Sequence, residues 1–237
     1  MTTTATTATV LSGADFVRDL KAELRKPGRY LPEHPWVQAV NTGKATRKQL
    51  QFWATQYFCA IRFGQLMSAI TFANCPDPAI RKKIIEVLAE EELGILSKSA
   101  PHKELFIRFA LGTGLSREQM ENAKPAYAAA VHVHHMEFVG KLRPFFYRRA
   151  CSGIGVEWQV PKTFGLISQG LKKHYGLTPE QTFFFDMHKE ADEEHGDVSS
   201  DIVSKYATTQ EVQEDLKHAV IQHVERFWAL WASALEV

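Results

Sequence analysis

Apolar residues recur every three or four positions through most of the chain, which is the spacing of one buried face of an α-helix. The first amphipathic segment covers residues 14–25 and stops before Pro27. A longer segment begins after Thr46, which has the capping-box spacing to Gln49, and its apolar positions continue to about Ala73. The pattern therefore predicts a short helix followed by a long one.

Similar start and stop signals divide the rest of the chain. Asp77 followed by proline indicates the start of the next helix, and Ser116 begins a second capping box. Further helices are predicted over residues 125–142, from Thr178 onwards, and over residues 212–235. Because no alternating strand pattern or hairpin turn is present, we predict an all-α fold.

The length and composition favour one compact domain. The chain has 237 residues, of which 45% are hydrophobic, and this is enough to bury a substantial core. Residues 1–12 are rich in Thr and Ala, and they lack the basic segment and long apolar run of a signal peptide. We therefore predict a disordered leader over residues 1–12 and a single helical domain over residues 13–237.

Charge and cysteine content argue against several classes of partner. The 28 Lys and Arg residues nearly balance the 27 Asp and Glu residues and form no basic run, so we expect no nucleic-acid partner. No segment approaches the length of a membrane span, and the three cysteines include no Cys-x-x-Cys pair. We accordingly expect no membrane partner, no disulfide framework and a cytoplasmic location.

The strongest candidate for chemistry is a histidine and aspartate group on one predicted helix. His188, Asp192 and His195 are spaced i, i+4 and i+7, which places them within roughly 40° to 60° of one another around the helix axis. The phenylalanines at 183–185 indicate that this helix packs against a core. Two imidazoles and a carboxylate in a dry interior favour a transition metal. The alternative is a solvated polar face with incidental histidines.

Two other acidic positions are candidates. Glu90, Glu91 and Glu92 fan out by about 100° each, so at most one or two of them can face a core, and a solvated helix end is the alternative. Glu157 follows a run of small residues among apolar neighbours, and a buried glutamate requires a cation or a proton.

Three histidines on the predicted helix 125–142 form a rival group. His134 and Glu137 are spaced i, i+3 and could form half of a metal site. The alternative for His132, His134 and His135 is a role as hydrogen-bonded residues of the core or of an interface.

Several stretches together resemble the haem-oxygenase-like di-iron oxidases. They occur in the order and approximate spacing of that family, between about residues 30 and 235: Glu91-Glu92-x-Gly94, residues 102–112, residues 157–161, residues 170–177, and His188-x3-Asp192-x2-His195. The resemblance implies a haem-oxygenase-like bundle of about seven helices. The general helical pattern is also similar to that of metal-free relatives, thiaminase II and the last enzyme of pyrroloquinoline quinone synthesis.

The resemblance also implies a set of ligands for two iron ions: Glu91, His102, Glu157, His188, Asp192 and His195. Three carboxylates and three imidazoles suit iron or manganese, and they leave two Fe²⁺ ions with a net charge of +1. The interval between the first glutamate and His102 varies in this family, so the choice among Glu90, Glu91 and Glu92 stays open.

The implied activity is an oxidation of a small amino acid in a biosynthetic pathway, with O2 as cosubstrate. Length and arrangement are most similar to a nitrile-forming member of the family, which converts a brominated tryptophan into an indole-3-carbonitrile. The resemblance further implies a homodimer. Several aromatic residues near the predicted ligands favour an aromatic-lined cavity, although most are expected to be core: Phe106, Phe109, Trp158, Phe164 and Phe183 to Phe185.

Two alternatives belong to other functional classes. In a metal-free hydrolase similar to thiaminase II, Cys151 would be the nucleophile, and Glu225 lies in a stretch similar to that enzyme's acid and base region. In the other alternative the chain is a helical binding protein without catalytic activity.

Overall fold

The structure, a computed structural model, describes residues 10–237, except for the side chains of residues 189–197. The all-α prediction is confirmed, since these residues contain helices and turns but no strand. The α-helices are α1 (Gly13–Leu24), α2 (Pro35–Asn41), α3 (Arg47–Asn74), α4 (Pro78–Leu93), α5 (His102–Gly112), α6 (Arg117–Glu121), α7 (Tyr127–Leu142), α8 (Phe145–Arg149), α9 (Val160–Tyr175), α10 (Pro179–Tyr206) and α11 (Gln210–Ala232). Of these, seven have 12 residues or more, close to the predicted bundle of about seven helices.

The helix boundaries follow local capping signals. The side chains of Thr46, Ser116 and Thr178 each accept a hydrogen bond from the backbone N–H three residues later. The glutamine at that later position accepts, through its Oε1, a hydrogen bond from the backbone N–H of the cap residue. Asp77 accepts hydrogen bonds from the first turn of α4, and Gly176 ends α9 with a left-handed φ of 69°. Each such cap stabilises its helix by about 1 kcal/mol.

The core consists of two apolar clusters. The larger one is aromatic and is centred on Trp53 of α3, whose ring contacts Trp36, Phe109, Phe185 and Trp231. The second cluster joins α1 and α8 to the later part of α10 and the first two thirds of α11. A π-helical turn, Ala150–Ile154, packs in this second cluster, and a 3₁₀ turn, Glu157–Gln159, follows it immediately. These two turns carry the chain from the second cluster to the functional site.

The end of the predicted leader is attached to the bundle. The backbone N–H of Leu11 donates to Gln213, the amide of Gln213 donates back to the Leu11 carbonyl, and Ser12 caps α1. Residues 1–9 are not among the described residues. Within the described part, no helix combines the length and the apolar character that crossing a membrane requires.

Candidate metal centre and adjoining pocket

Three of the predicted ligands meet where three helices converge. Glu91 lies near the end of α4, His102 begins α5 and His188 lies in α10. One ligand atom from each of them lies within 4.8 Å of the others. The rings of His102 and His188 contact each other edge to face, with centroids 4.7 Å apart. Residues that are 86 and 97 positions apart in the chain thus form one potential metal site.

The tautomer of His188 is fixed by the backbone of its own helix. Its Nδ1 lies 2.7 Å from the Phe184 carbonyl oxygen. Because a carbonyl oxygen only accepts, Nδ1 carries the proton and Nε2 keeps its lone pair. This arrangement orients a histidine for metal binding, since metal-bound histidines usually donate their other N–H to a carbonyl or carboxylate.

His102 is held by the glutamate that precedes Glu91. The buried Glu90 carboxylate lies 3.3 Å from His102 Nε2, and its second oxygen accepts from the backbone N–H groups of Leu96 and Ser97, at 2.6 and 3.1 Å. Glu90 therefore joins the loop after α4 to the histidine ring. It turns the other ring nitrogen, Nδ1, towards Glu91.

The consecutive glutamates consequently have three different environments. Glu91 faces His102 and His188, Glu90 supports His102 from behind, and Glu92 lies on the surface, 3.3 Å from the Lys103 ammonium. Of the three candidates that the sequence left open, Glu91 is thus the one placed to bind a metal together with both histidines.

The Glu91 carboxylate faces a buried nitrogen of His102 without forming a hydrogen bond to it. Glu91 Oε2 lies 3.0 Å from His102 Nδ1, yet this buried nitrogen has no hydrogen-bond partner among the described residues. Burial raises the pKa of the Glu91 carboxyl, but the neighbouring His102 outweighs burial and lowers that pKa to about 2. Burial lowers the pKa of His102, and the two glutamates more than reverse this effect. Glu91 is therefore ionised beside His102.

Glu157 lines the same pocket from the 3₁₀ turn. Its Oε2 lies 3.6 Å from the Arg149 guanidinium and has no hydrogen-bond partner in the described part of the chain. Arg149 in turn donates to Ser199 of α10. Gly153 makes this close packing possible, because a Cβ at that position would lie 1.9 Å from Ser199 Oγ.

The remaining two predicted ligands, Asp192 and His195, lie outside the described residues. The six-residue ligand set thus stays a prediction. Within it, the structure brings Glu91, His102 and His188 together and places Glu157 on the same pocket.

The pocket beside these residues has a volume of about 160 Å³. Much of its wall is apolar or aromatic: Tyr57, Met136, Val156, Val160, Phe164, Phe184 and Phe227. Of the aromatic residues expected near the ligands, Phe164 and Phe184 line this pocket, whereas Phe106, Phe109 and Phe185 are fully buried in the core.

A buried arginine and three buried histidines also lie at or beside the pocket, although no sequence motif assigned them to the site. Arg148, His132 and His223 line the pocket, and His135 lies beside His223, with ring centroids 5.5 Å apart. Burial lowers the pKa of His132 to about 3 and that of His135 to about 4, so both rings are neutral near pH 7. His132 and His135 are spaced i, i+3, and apolar Val139 follows at i+7. This spacing could have indicated that both histidines lie on the buried face of the helix.

The rival half-site predicted on α7 lies at the surface instead. His134 is 78% exposed, and its ring lies 3.8 Å from Glu137, whose carboxylate pairs with Lys141. This geometry is that of a solvated ion pair rather than a metal site.

The alternative nucleophile is poorly placed for attack. Cys151 is fully buried in the π-helical turn, and burial raises the pKa of its thiol to about 12. The thiolate that nucleophilic catalysis needs is therefore scarce at neutral pH. Glu225, the suggested acid or base, pairs with Arg29 at the surface, at 3.0 Å.

Comparisons with known proteins show the family and the fold of the chain. A family model described as an iron-containing redox enzyme matches residues 50–232. The chain is 29% identical to a 4-aminobenzoate synthase of Nitrosomonas europaea, over 84% of this chain and 83% of that protein. It is 28% identical to a pyrroloquinoline-quinone synthase of Xanthomonas campestris, over 89% and 84%. A solved structure of a TenA homologue from Pseudomonas syringae has the same fold, with a TM-score of 0.79, 10% identity and 98% of both chains covered.

Proposed function

The chain belongs to the iron-containing redox enzymes of the haem-oxygenase-like fold, and from this premise we propose that it is an O2-dependent non-haem di-iron oxidase of a small amino acid. The two irons would be held by Glu91, His102, Glu157, His188, Asp192 and His195. When bound, the irons supply the electrons and the binding site with which O2 is activated.

One observation carries the proposal. A carboxylate and a histidine nitrogen face each other at 3.0 Å in a buried site without a hydrogen bond, and a second histidine with a fixed tautomer completes the group. Oxygen and nitrogen ligands of this kind fit iron, because carboxylate and imidazole are both among its usual ligands. The residues present therefore fit the metal that the family implies.

The chain's own residues orient the ligands and exclude water. Glu90 holds the His102 ring, and the Phe184 carbonyl holds the His188 ring, so both nitrogens are aligned before a metal arrives. Phe164 and Phe184 lie against His188, with ring centroids 5.7 and 4.4 Å away, and they cover it on the pocket side. An apolar cover of this kind keeps water from the reacting groups.

The narrower form of the proposal concerns the substrate. We infer that an aromatic amino acid occupies the pocket and that a tryptophan, brominated on its ring, is converted to an indole-3-carbonitrile. The aromatic side chains Tyr57, Phe164, Phe184 and Phe227 support this inference, since they form an apolar wall suited to an indole ring.

A second candidate is the formation of an aromatic acid. Its support is the 29% identity to a 4-aminobenzoate synthase over most of both chains. The same iron site would serve either reaction, so the two candidates differ in the molecule that occupies the pocket.

Metal binding is tested by anaerobic titration with Fe²⁺ followed by exposure to O2. We expect two equivalents to bind and iron-dependent O2 uptake to follow. His188→Ala should lose at least one equivalent while its circular dichroism stays helical, and His134→Ala, at the exposed histidine of α7, should behave as the unaltered protein. Two tightly bound equivalents and full O2 uptake in His188→Ala would refute the site.

The substrate is tested by mass spectrometry after turnover. Iron-loaded protein is incubated with O2 and tryptophan or 5,7-dibromotryptophan, and the products are searched for the corresponding indole-3-carbonitrile. These mixtures, and one without added amino acid, are also searched for 4-aminobenzoate. Nitrile that depends on the added amino acid supports the narrower proposal, and 4-aminobenzoate that depends on iron and O2 supports the alternative.

A further inference from the structure

Arg148 is a buried cation that has no ion-pair partner among the described residues. Its side chain is 7% exposed, and its Nε and Nη1 atoms have no hydrogen-bond partner among the described residues. No described carboxylate lies within ion-pairing distance of it, in contrast to Arg149, which reaches Glu157 at 3.6 Å. A buried charge without a counter-charge is costly. A buried arginine of this kind is therefore expected to pair with a bound anion.

Two carboxylates, Glu157 and Glu91, line the same pocket and attract the guanidinium through space, but neither lies within ion-pairing distance of it. A Cβ at Gly64 of α3 would lie 3.8 Å from Arg148 Nη2 and 3.4 Å from Met136, so this side of the guanidinium faces glycine and methionine. His132 and His223 line the same pocket, and burial lowers the pKa of both rings, which leaves them neutral.

These histidines also have unused hydrogen-bonding atoms. His132 Nδ1 and His223 Nδ1 are buried and lack a hydrogen-bond partner in the described part of the chain. A neutral imidazole carries one N–H, which can donate to an anion beside the guanidinium. The pocket thus offers a fixed positive charge and additional polar atoms, and neither of the described carboxylates that line it, Glu91 and Glu157, is hydrogen-bonded to these unpartnered atoms.

The charge of the proposed iron site also favours an anionic substrate. The predicted ligands contribute three negative charges against four from two Fe²⁺ ions, and Arg148 and Arg149 add two more positive charges. The occupied pocket would therefore be strongly positive, and a substrate anion would reduce that excess.

We propose that Arg148, with His132 and His223 beside it, binds the carboxylate of an aromatic substrate whose ring lies against the apolar wall of the pocket. The guanidinium fork matches the two oxygens of a carboxylate, which makes arginine more selective here than lysine would be. This inference deepens the proposed function, because it names a substrate class and the residue that selects it.

The test measures binding to metal-free protein, so that its result does not depend on iron or turnover. The probes are aromatic carboxylates and their matched uncharged or decarboxylated forms: benzoate and benzamide, indole-3-propionate and its amide, and L-tryptophan and tryptamine. Affinities are compared by calorimetry for the unaltered protein, for Arg148→Met and for Arg226→Met. Arg226 is a matched control, because it is a half-buried arginine near the same histidines, donates to the Gln222 carbonyl and does not line the pocket.

We expect at least one carboxylate to bind the unaltered protein tenfold or more tightly than its uncharged partner. Arg148→Met should weaken the binding of that carboxylate by about 30-fold or more, which is the usual effect of losing a buried charged hydrogen-bond partner. Arg148→Lys keeps the positive charge but loses the forked guanidinium. Its affinity for that carboxylate should lie between those of the unaltered protein and Arg148→Met. Arg226→Met should keep the preference.

Thermal unfolding gives a second readout that a merely structural role would not produce. Arg148→Met should melt at a higher temperature than the unaltered ligand-free protein, because it removes an unpaired buried charge. The proposal is overturned if no carboxylate in the panel is preferred over its partner, if Arg148→Met keeps the preference, or if it melts lower. Iron-dependent O2 uptake is measured separately, so the proposed function can stand when this proposal fails.

Discussion

At the scale of single residues, two glutamates with the same chemistry and adjacent numbers have different tasks. Glu91 faces the histidine pair, whereas Glu90 accepts two backbone hydrogen bonds and holds His102. The sequence could not separate them, because both are compatible with an inward position at the end of an amphipathic helix. The path of the loop after α4, which brings the N–H groups of Leu96 and Ser97 back to Glu90, makes the distinction.

Replacing Glu90 tests its role as a positioning residue. In Glu90→Gln the charge that orients His102 is lost, and we expect Fe²⁺ affinity to fall about 10- to 100-fold, as for other residues that support a metal-bound histidine. Glu92→Gln is the matched control, since Glu92 pairs with Lys103 at the surface. Anaerobic Fe²⁺ titration measures both. Equal affinities in the two variants would show that Glu90 does not position the ring.

Cys151 provides a test between enzyme classes. Its thiol is fully buried, and burial raises its pKa to about 12, so we expect Cys151→Ser to keep iron binding and O2 uptake within about twofold of the unaltered protein. The measurement is O2 consumption together with product formation. Complete loss of activity in a folded variant that still binds iron would favour the nucleophilic mechanism.

At the scale of elements, the turns between α8 and α9 decide where Glu157 lies. The π-helical turn Ala150–Ile154 packs against α10 through Gly153 and Ser199, and the 3₁₀ turn with Glu157 follows directly. The sequence indicated a small-residue segment with one carboxylate, but it did not indicate a π-helical turn. The extra residue in that turn is accommodated by contacts with a helix some 45 positions later, which no local pattern contains.

Adding one methyl group to this turn should disturb both packing and site. In Gly153→Ala the new Cβ would lie 1.9 Å from Ser199 Oγ, and we expect a loss of about 1–3 kcal/mol in the free energy of unfolding, together with weaker iron binding. Urea unfolding and Fe²⁺ titration measure the two effects.

Gly165→Ala in α9 is the control for that substitution. No described atom lies within 4 Å of a Cβ at this position, and alanine favours the helix over glycine by up to about 1 kcal/mol. We therefore expect Gly165→Ala to keep or increase stability and to leave iron binding unchanged. A Gly153→Ala variant as stable as Gly165→Ala would show that the turn tolerates a side chain.

The capping signals illustrate what the sequence could specify. Thr46, Ser116 and Thr178 were predicted to begin helices, and each does so in the structure with a complete capping box. These interactions join residues three positions apart, so they are readable from the sequence. The inward direction of His132 and the pairing of Glu90 with a loop depend on tertiary packing, and the sequence pattern left them open or missed them.

At the scale of the whole molecule, buried histidines link stability to pH. Burial lowers the pKa of His34 to about 4, of His132 to about 3 and of His135 to about 4, and it lowers the pKa of His223 as well. In the unfolded chain these rings would bind protons near pH 6.5. Their neutral form therefore favours the folded state above about pH 6.5, and this contribution is lost as the pH falls towards 4.

We expect the free energy of unfolding to decrease steeply between pH 6.5 and pH 4, by up to about 1.4 kcal/mol per pH unit for each such histidine. Urea unfolding at a series of pH values measures the slope. His132→Gln should reduce the slope, because one buried titrating group is removed, whereas His134→Gln, at an exposed position, should leave it unchanged. Equal slopes in the two variants would contradict the assignment of the effect to the buried rings.

The hydrogen bonds between Glu90 and the loop after α4 also affect how sequence searches can find chains with the same metal site. Because Glu90 holds His102 and the start of that loop together, residues inserted at the exposed Lys98 would lengthen the connection without moving the ring. The entropy cost of lengthening a loop grows only slowly with its length. A pattern search that demands a fixed interval between Glu91 and His102 would therefore overlook chains with the same site, whereas a search that leaves this interval free and requires the paired glutamates would retain them.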